Sequence, residues 1–523
     1  MKLAAKRESN RTNNAGSAGK AGCLAAAKAS ARDVPRAGRI SGWVEKEFLT
    51  SARLDCDYYR QDALKALSIL HQQERWKCQP VKKVCSAIFN FGAYAQYNIV
   101  EFLPKQDDRV PFVTVSEINQ PFVDESHLRY VSPEVHGHLK KSQCSPQDVL
   151  LSIAGTIGLV GIVPKHLSPL NSNQDLAKLR FLSEIVDPYF AVAFLISHYG
   201  QIQLSREAAG AVLKHLYLYN IGTIQITVAA REIQEAIGSL IRKAERLKEL
   251  AETSHLAANR LLEEFLTWPI SLPEENAGFV ALGDSTAARL DAKFYLPAYL
   301  QIIRHVRQLP SGWQPLSQVL DGVYNGAEVR EFVEVGRPYL CVKNIDRGEL
   351  DVRGAPRILA ETVIPEKALI KAGDVLVVRT GSLGQAAFVR SIDEQMGAAI
   401  SSHFIRLVVR DLSDGPIIAA FLNSGIGRLL QDQIAYGAVQ PQISQDEVGA
   451  IPVPKWPQNL KGTVSEAHSR WRDYLDESET LVTKATNAVE SLIAGTLNER
   501  ELLAGVAGIE PWLEAHPSPY ASK

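Results

Sequence analysis

Asp148-Val149-Leu150-Leu151-Ser152-Ile153-Ala154-Gly155-Thr156-Ile157-Gly158 returns as Asp374-Val375-Leu376-Val377-Val378-Arg379-Thr380-Gly381-Ser382-Leu383-Gly384, a step of about 226 residues (374 minus 148). Each stretch reads as a short apolar strand, a Gly-x-x-Gly turn and the start of a second strand. Other text recurs at nearly the same step. Arg53-Leu54-Asp55 matches Arg289-Leu290-Asp291, and residues 111–119 match 338–346. Ala193-Phe194-Leu195-Ile196-Ser197 matches Ala420-Phe421-Leu422-Asn423-Ser424, and Gly210-Ala211-Val212 matches Gly437-Ala438-Val439. Each copy begins with a helix-like stretch (63–70 and 299–306) and closes on a β-like run (224–228 and 451–453). A step this long exceeds the roughly 20–50 residues of a solenoid unit. It marks a duplicated domain. Two divergent copies in fixed order point to two different things read at a fixed distance.

A long helical pattern follows each copy. After the first, apolar or small residues fall at Ile233, Ile237, Leu240, Ala244, Leu247, Ala251, Ala258, Leu261 and Phe265, with a gap at Ser254. After the second they fall at Val464, Ala467, Trp471, Tyr474, Ser478, Leu481, Ala485, Ala488 and Leu492. Steps alternating between three and four make a coiled-coil seam. Each helix is predicted to be about 35 residues, hence roughly 50 Å long. A helix with so narrow a seam cannot bury it alone. Pairing the two helices antiparallel solves both problems and places the domains at opposite ends of a rod. The alternative is that each helix packs on its own domain.

The composition is that of a globular chain: 523 residues, 46% hydrophobic and 22% charged, enough for about three domains. No apolar run reaches the roughly 18 residues of a membrane span. The six cysteines form no CxxC pair, so they read as thiols of a reducing cytoplasm rather than zinc ligands or a disulfide framework. A net charge of −1 is low for a nucleic-acid binder, which would then need local basic patches and help from partners. Residues 1–39 are rich in Ala, Ser, Gly, Lys and Arg, with only Glu8 and Asp33 acidic. They read as a disordered basic tail; a DNA-touching arm and a transit peptide share that composition.

The order of these features resembles the specificity (S) subunit of type I restriction–modification systems, over about residues 40–498. The carrying text is Gly373 through Gly384, Ala398-Ala399-Ile400-Ser401-Ser402, Ala420 through Ser424, and Gly437-Ala438-Val439-Gln440-Pro441-Gln442-Ile443-Ser444 leading to Ile451-Pro452-Val453-Pro454. The first copy departs from it, with Leu213-Lys214-His215-Leu216 in place of Gln440-Pro441-Gln442-Ile443. The resemblance implies a mixed α/β fold: two duplicated target recognition domains joined by two long helices in an antiparallel coiled coil. The implied layout is a tail at 1–39, domain one at 40–229, a central helix at 230–267, domain two at 268–462, a second helix at 463–500 and a C-terminal tail at 501–523. It further implies reading of a bipartite, asymmetric site on double-stranded DNA. The implied partners are two adenine methyltransferase subunits and a motor-nuclease subunit, in the cytoplasm, with no cofactor. One face of B-DNA presents its major groove about every 34 Å, a distance a rod of roughly 50 Å can span.

Candidate DNA-contacting residues are polar groups in turns beside the apolar strands. In the second copy Arg379 ends a strand immediately before Thr380, Gly381 and Ser382, where a charge has no place in the core. Lys343, Asn344 and Arg347 sit in a polar turn, Gln440 and Gln442 have the chemistry to pair with adenine, and His403 follows Ser402. The matching residues of the first copy are Ser116, Glu117, Asn119, Thr156, Gln174, Lys214 and His215. Each has a plain structural reading too, as a turn-supporting or solvated side chain. Tyr58, Tyr59, Phe294 and Tyr295 read as core or hinge aromatics. The sequence holds no phosphate loop, no GxGxxG, no Asn-Pro-Pro-Tyr-like methyltransferase motif, no GxSxG and no HExxH. The expectation is a non-catalytic DNA-recognition subunit; a scaffold that holds two protein partners without reading DNA is the competing reading.

Overall fold

The computed structural model describes residues 56–91, 100–210, 214–273, 289, 291–437 and 439–520. The tail 1–39, Arg53-Leu54-Asp55, Ala211, Val212, Leu290 and Ala438 lie outside these residues.

The duplication holds in the central strands and the helices behind them. The first copy is built on a six-stranded sheet. Its strands are β1 (Cys85–Phe89), β2 (Ile118–Asn119), β3 (Phe122–Val123), β4 (Val149–Ser152), β5 (Val160–Ile162) and β6 (Leu176–Phe181), in the order β1-β6-β4-β5-β3-β2. The Asp-Val-Leu strand is therefore central, and all four residues of β4 are buried. Behind the sheet lies α1 (Pro188–Ile196), apolar on every face and sunk in the core. Asp187 caps it by accepting from the amides of Tyr189 and Phe190. Then α2 (His198–Glu207) turns away, capped by Ser197. The rod helix α3 (Arg231–Phe265) follows.

The second copy repeats the plan with β7 (Leu320–Asn325), β8 (Val375–Val378), β9 (Ala386–Phe388) and β10 (Phe404–Val409), in the order β7-β10-β8-β9. α4 (Gly415–Asn423) and α5 (Gly425–Ile434) stand in for α1 and α2. The corner between the paired helices needs glycine in both copies. A Cβ on Gly200 would lie 2.3 Å from the Phe194 carbonyl oxygen, and one on Gly427 would lie 1.9 Å from that of Phe421. The aspartate that opens each motif is pinned to the neighbouring strand by arginine: Asp148 to Arg180 at 2.8 Å and Asp374 to Arg406 at 2.5 Å. Each copy is also clasped where the chain enters and leaves. Lys77–Pro80 pairs antiparallel with Gln225–Val228, and Trp313–Pro315 with Pro452–Pro454. The aromatics at the start of each copy pack as edge-to-face pairs, Tyr58 on Tyr59 and Phe294 on Tyr295.

α3 and α6 (Gln458–Ala494) form the rod. They run antiparallel: Lys243 pairs with Glu477, the Ser478 hydroxyl donates to the Ala244 carbonyl, His255 meets Trp471 and Phe265 meets Trp456. The lengths are 35 and 37 residues, or about 50–55 Å at 1.5 Å per residue. The seam holds over most of its length, with one correction. Beyond Ala258 the buried residue is Leu262, whereas Leu261 is 39% exposed. A straight helix at 3.6 residues per turn drifts from a 3.5-residue repeat, so the seam slips by one position near its end. The first copy packs on residues 233–247 of α3 and 481–493 of α6. The second packs on the opposite end, at Leu262, Leu266 and Val464.

The segment expected to be a C-terminal tail is folded. α7 (Glu499–Val506) and α8 (Ile509–Ala515) double back along α3. The Lys243 ammonium lies over the Trp512 ring, Arg246 donates to the His516 carbonyl and Tyr520 stacks on His166. No described helix is long and apolar enough to cross a membrane.

Candidate nucleic-acid interface

In each copy three backbone segments meet at one end of the central strand. In the first, the amide of Ile153 donates to the Asp175 carbonyl and that of Leu216 to the Ile153 carbonyl. Ala209 and His215 exchange a pair of backbone hydrogen bonds beside them. In the second, Arg379 donates to His403, Ile443 donates to Arg379, and Tyr436 exchanges a pair with Gln442. The two rims thus have the same backbone connections. Their turns need the left-handed region: Gly155 and Gly158 have φ of 70° and 90°, and Gly381 and Gly384 have 97° and 81°.

The first rim gathers Thr156, Gln174, Lys214 and His215. Thr156 and Lys214 are exposed, while Gln174 and His215 are half-buried. Ser152 ties the turn internally, donating to the Thr156 carbonyl and accepting from the Leu159 amide. The second rim gathers Arg379, Thr380, Ser382, His403, Gln440 and Gln442. Ser382, His403 and Gln440 are exposed; Arg379, Thr380 and Gln442 are half-buried. The Arg379 guanidinium bends back so that Nη1 donates to the Ser402 carbonyl at 3.3 Å, and its Nε is buried without a partner.

The other six candidates lie elsewhere, on hairpins that meet at mid-rod. Asn344 is 3% exposed and turned inward, its side-chain oxygen accepting from the Cys341 amide at 3.0 Å. Glu117 does the same for the Thr114 amide in the first copy, and the Ser116 hydroxyl donates to Glu117. Arg347 faces the rod and the other domain, not a groove. It lies 3.3 Å from Glu252 of α3 and 3.7 Å from Asp124 of the first copy. Asn344 and Arg347 therefore each serve a structural role in this fold. Asn344 is buried with its oxygen engaged as a cap, and the Arg347 guanidinium is held by carboxylates of the rod and the first copy. Asn119 and Lys343 remain exposed beside a polar cleft that also includes Arg353, Arg390 and Arg472.

The structure adds rim residues that the sequence reading passed over. Arg428 lies beside Gly384 where Gln201 lies beside Gly158. The Gln201 side chain is tied down to the Gly158 and Leu195 carbonyls. Arg428 is exposed. The repeat step applied to Gln201 would have found it. On the first rim Tyr217 and Tyr219 are 47% and 72% exposed.

Charges at mid-rod are strongly perturbed. Burial would lower the pKa of His166, yet its contacts at 2.6 Å with Glu125 and 3.3 Å with Glu249 raise it to about 9. Burial raises the Glu245 carboxyl to about 7 despite a hydrogen bond from Tyr189. Burial, helped by nearby arginines, pushes His255 down to about 4 and His468 down to about 3. Glu245, His255 and His468 lie on the rod helices themselves, and His166 reaches them from the first copy.

Residues 76–258 match the family model "Type I restriction modification DNA specificity domain". The matched part covers the first copy from its opening strand into the rod helix. A curated relative, the type I restriction enzyme EcoBI specificity subunit of Escherichia coli, is 27% identical over 218 residues. That alignment spans 42% of this chain and 42% of the relative. Among solved structures, the S subunit of a type I restriction–modification system from M. genitalium aligns at 14% identity and a TM-score of 0.40, covering 82% of this chain and 97% of that one. The HsdS subunit of Thermoanaerobacter tengcongensis aligns at 14% identity and a TM-score of 0.28, covering 81% and 98%. With its duplicated motif, its antiparallel rod and this match over residues 76–258, the chain is similar to the specificity subunits of type I restriction–modification systems, and spans less than half the length of the curated relative it matches.

Proposed function

We propose that this chain reads a bipartite DNA site, one half through each rim, with the rod setting the gap between them. The carrying observation is a contrast: the rims share the backbone hydrogen bonds that tie the end of the central strand to its two neighbouring segments and differ in the side chains they present. A duplicated scaffold with divergent tips suits two related tasks on two different sequences. Base edges in the major groove are told apart by a few polar and apolar contacts, and each rim offers that many. Thr156, Gln174, Lys214 and His215 serve the first half-site; Arg379, Thr380, Ser382, His403, Gln440 and Gln442 serve the second. The chain docks two adenine methyltransferase subunits and, in the full complex, a motor-nuclease subunit. It performs no methylation or cleavage itself. Those partners also contribute the phosphate contacts that a chain of net charge −1 lacks.

A gel shift of the complex reconstituted with its methyltransferase, against a pool of randomised duplexes, tests the reading. One split sequence should be selected. Binding without sequence preference would favour the scaffold reading, which the near-neutral charge supports. Exchanging residues 40–229 for those of another family member should change one half-site only. Adding or deleting a heptad in both rod helices should alter the gap and leave the half-sites intact.

A further inference from the structure

The first rim carries a feature that the second lacks. Its segment from His215 onward presents three rings in succession. His215 meets Tyr217 edge-on at 4.9 Å, and Tyr217 stacks on Tyr219 at 5.8 Å with the planes 15° apart. Both tyrosines are well exposed, Tyr219 at 72%. The segment is held against the Thr156 turn by the hydrogen bond from Leu216 to Ile153. Lys214 is exposed on the same segment.

The second copy shows what this position does when only the fold is served. There Ser444 caps the helix Gln445–Ala450, accepting from Glu447, whose carboxylate reaches back in a capping box. Tyr217 occupies the same place, before the helix Leu218–Ile221, and makes no side-chain cap. A serine cap stabilises the start of such a helix by satisfying an otherwise orphaned backbone amide. The first copy gives that up and also leaves an aromatic pair in water. The pair adds nothing to its core, since both rings lie outside it.

We propose that Tyr217 and Tyr219 are specificity-determining residues of the first half-site, their stacked faces packing on the methyl group of a thymine in the major groove. This rests on the DNA-reading function proposed above. The chemistry fits. The thymine methyl is the apolar mark of the major groove, and apolar side chains read it by contact. Tyrosine supplies a rigid, wide face with little side-chain entropy to lose. The rings sit beside Thr156 and Lys214, which can bond neighbouring base edges or phosphates.

The test uses the full chain with its methyltransferase partner. Selection from a randomised pool gives the preferred first half-site, and each thymine in it is then replaced by deoxyuridine. Wild type should select at least one A·T pair there and lose roughly four-fold in affinity at one deoxyuridine, the worth of a buried methyl. The double variant Y217A/Y219A should bind thymine and deoxyuridine duplexes equally and select a relaxed first half-site, with the second unchanged. Y217F/Y219F, which keeps the rings, should behave as wild type. Since both side chains are exposed, all three proteins should melt together. A first half-site without an A·T pair, or wild-type indifference to every methyl in it, overturns the proposal while leaving two-rim reading intact. So does a uniform loss of affinity in Y217A/Y219A with unchanged selection. If wild type selects no sequence, the DNA-reading function falls and this inference with it.

Discussion

The first and second rims are closed by the same backbone hydrogen bonds, yet one ends its central strand in Ile153-Ala154 and the other in Arg379-Thr380. The difference extends outward. Gln201 is bonded down to its turn where Arg428 stands exposed, and Tyr217 replaces the capping Ser444. The buried framework tells the opposite story: the Asp–Arg pin, the glycine corner and the strand clasp are shared. Constraint sits in the scaffold and freedom at its tips, as expected where folding is common to both copies and recognition is private to each.

The pin itself offers the sharpest comparison. The Arg406 side chain is 5% exposed and that of Arg180 is 41% exposed. Removing one partner of a buried pair costs about 3–5 kcal/mol, because the other charge is stranded. Asp148 is buried as deeply as Asp374, but Arg180 lies at the surface, so water can enter the space it leaves and solvate the stranded carboxylate, which makes the loss there smaller. Arg406→Ala should therefore lower the melting temperature of the second copy far more than Arg180→Ala lowers that of the first. Calorimetry of the two variants checks this, and equal losses would break the comparison.

Acid should attack the rod first where His255 and His468 lie buried near its middle. His255 and His468 are held neutral, with folded pKa values of about 4 and 3 against an ordinary 6.5. The stability they contribute is complete above about pH 6.5 and is lost as pH falls toward 4. His468→Leu should flatten that acid limb in melts recorded between pH 7 and 4. His166 acts in the other direction. Its raised pKa means that its stabilisation is present below 6.5 and fades as pH climbs through about 9.

The rims themselves come next. Arg379→Ile, which gives the second rim the residue of the first, should relax discrimination at one position of the second half-site. The loss should be about 1–3 kcal/mol. Selection on randomised duplexes would show it, and a changed first half-site would count against separate readers. The smallest effect is expected at Arg347. Its partly exposed ion pairs are worth about 0.5 kcal/mol. Arg347→Ala should scarcely move the melting temperature while raising amide exchange in the two mid-rod hairpins.

The architecture was legible because it is written in periodicity: the 226-residue step, the Gly-x-x-Gly turns and the two seams each follow from spacing. The rim residues were legible as a set, since strand ends and turns can be placed from apolar runs. Direction was not. Asn344 and Lys343 are neighbours in one polar turn, yet one caps the backbone from inside and the other faces solvent. Arg347 looked like a DNA contact because its partners, Glu252 and Asp124, are about 95 and 223 residues away in the chain. The choice between Leu261 and Leu262 turned on helical drift, which a fixed repeat does not register.

The rod also imposes an order on synthesis. The strand clasp at Gln225–Val228 can form as soon as the first copy's own last strand has emerged, while the face of its core that packs on α6 stays open. α3 follows directly, but its partner α6 ends only at Ala494, after the whole second copy. At ribosomal speeds of about 5–20 residues per second, the apolar seam of α3 waits uncovered for some tens of seconds. During that interval nascent chains on one messenger could pair through their α3 helices, so correct assembly depends on α6 arriving before a neighbour does.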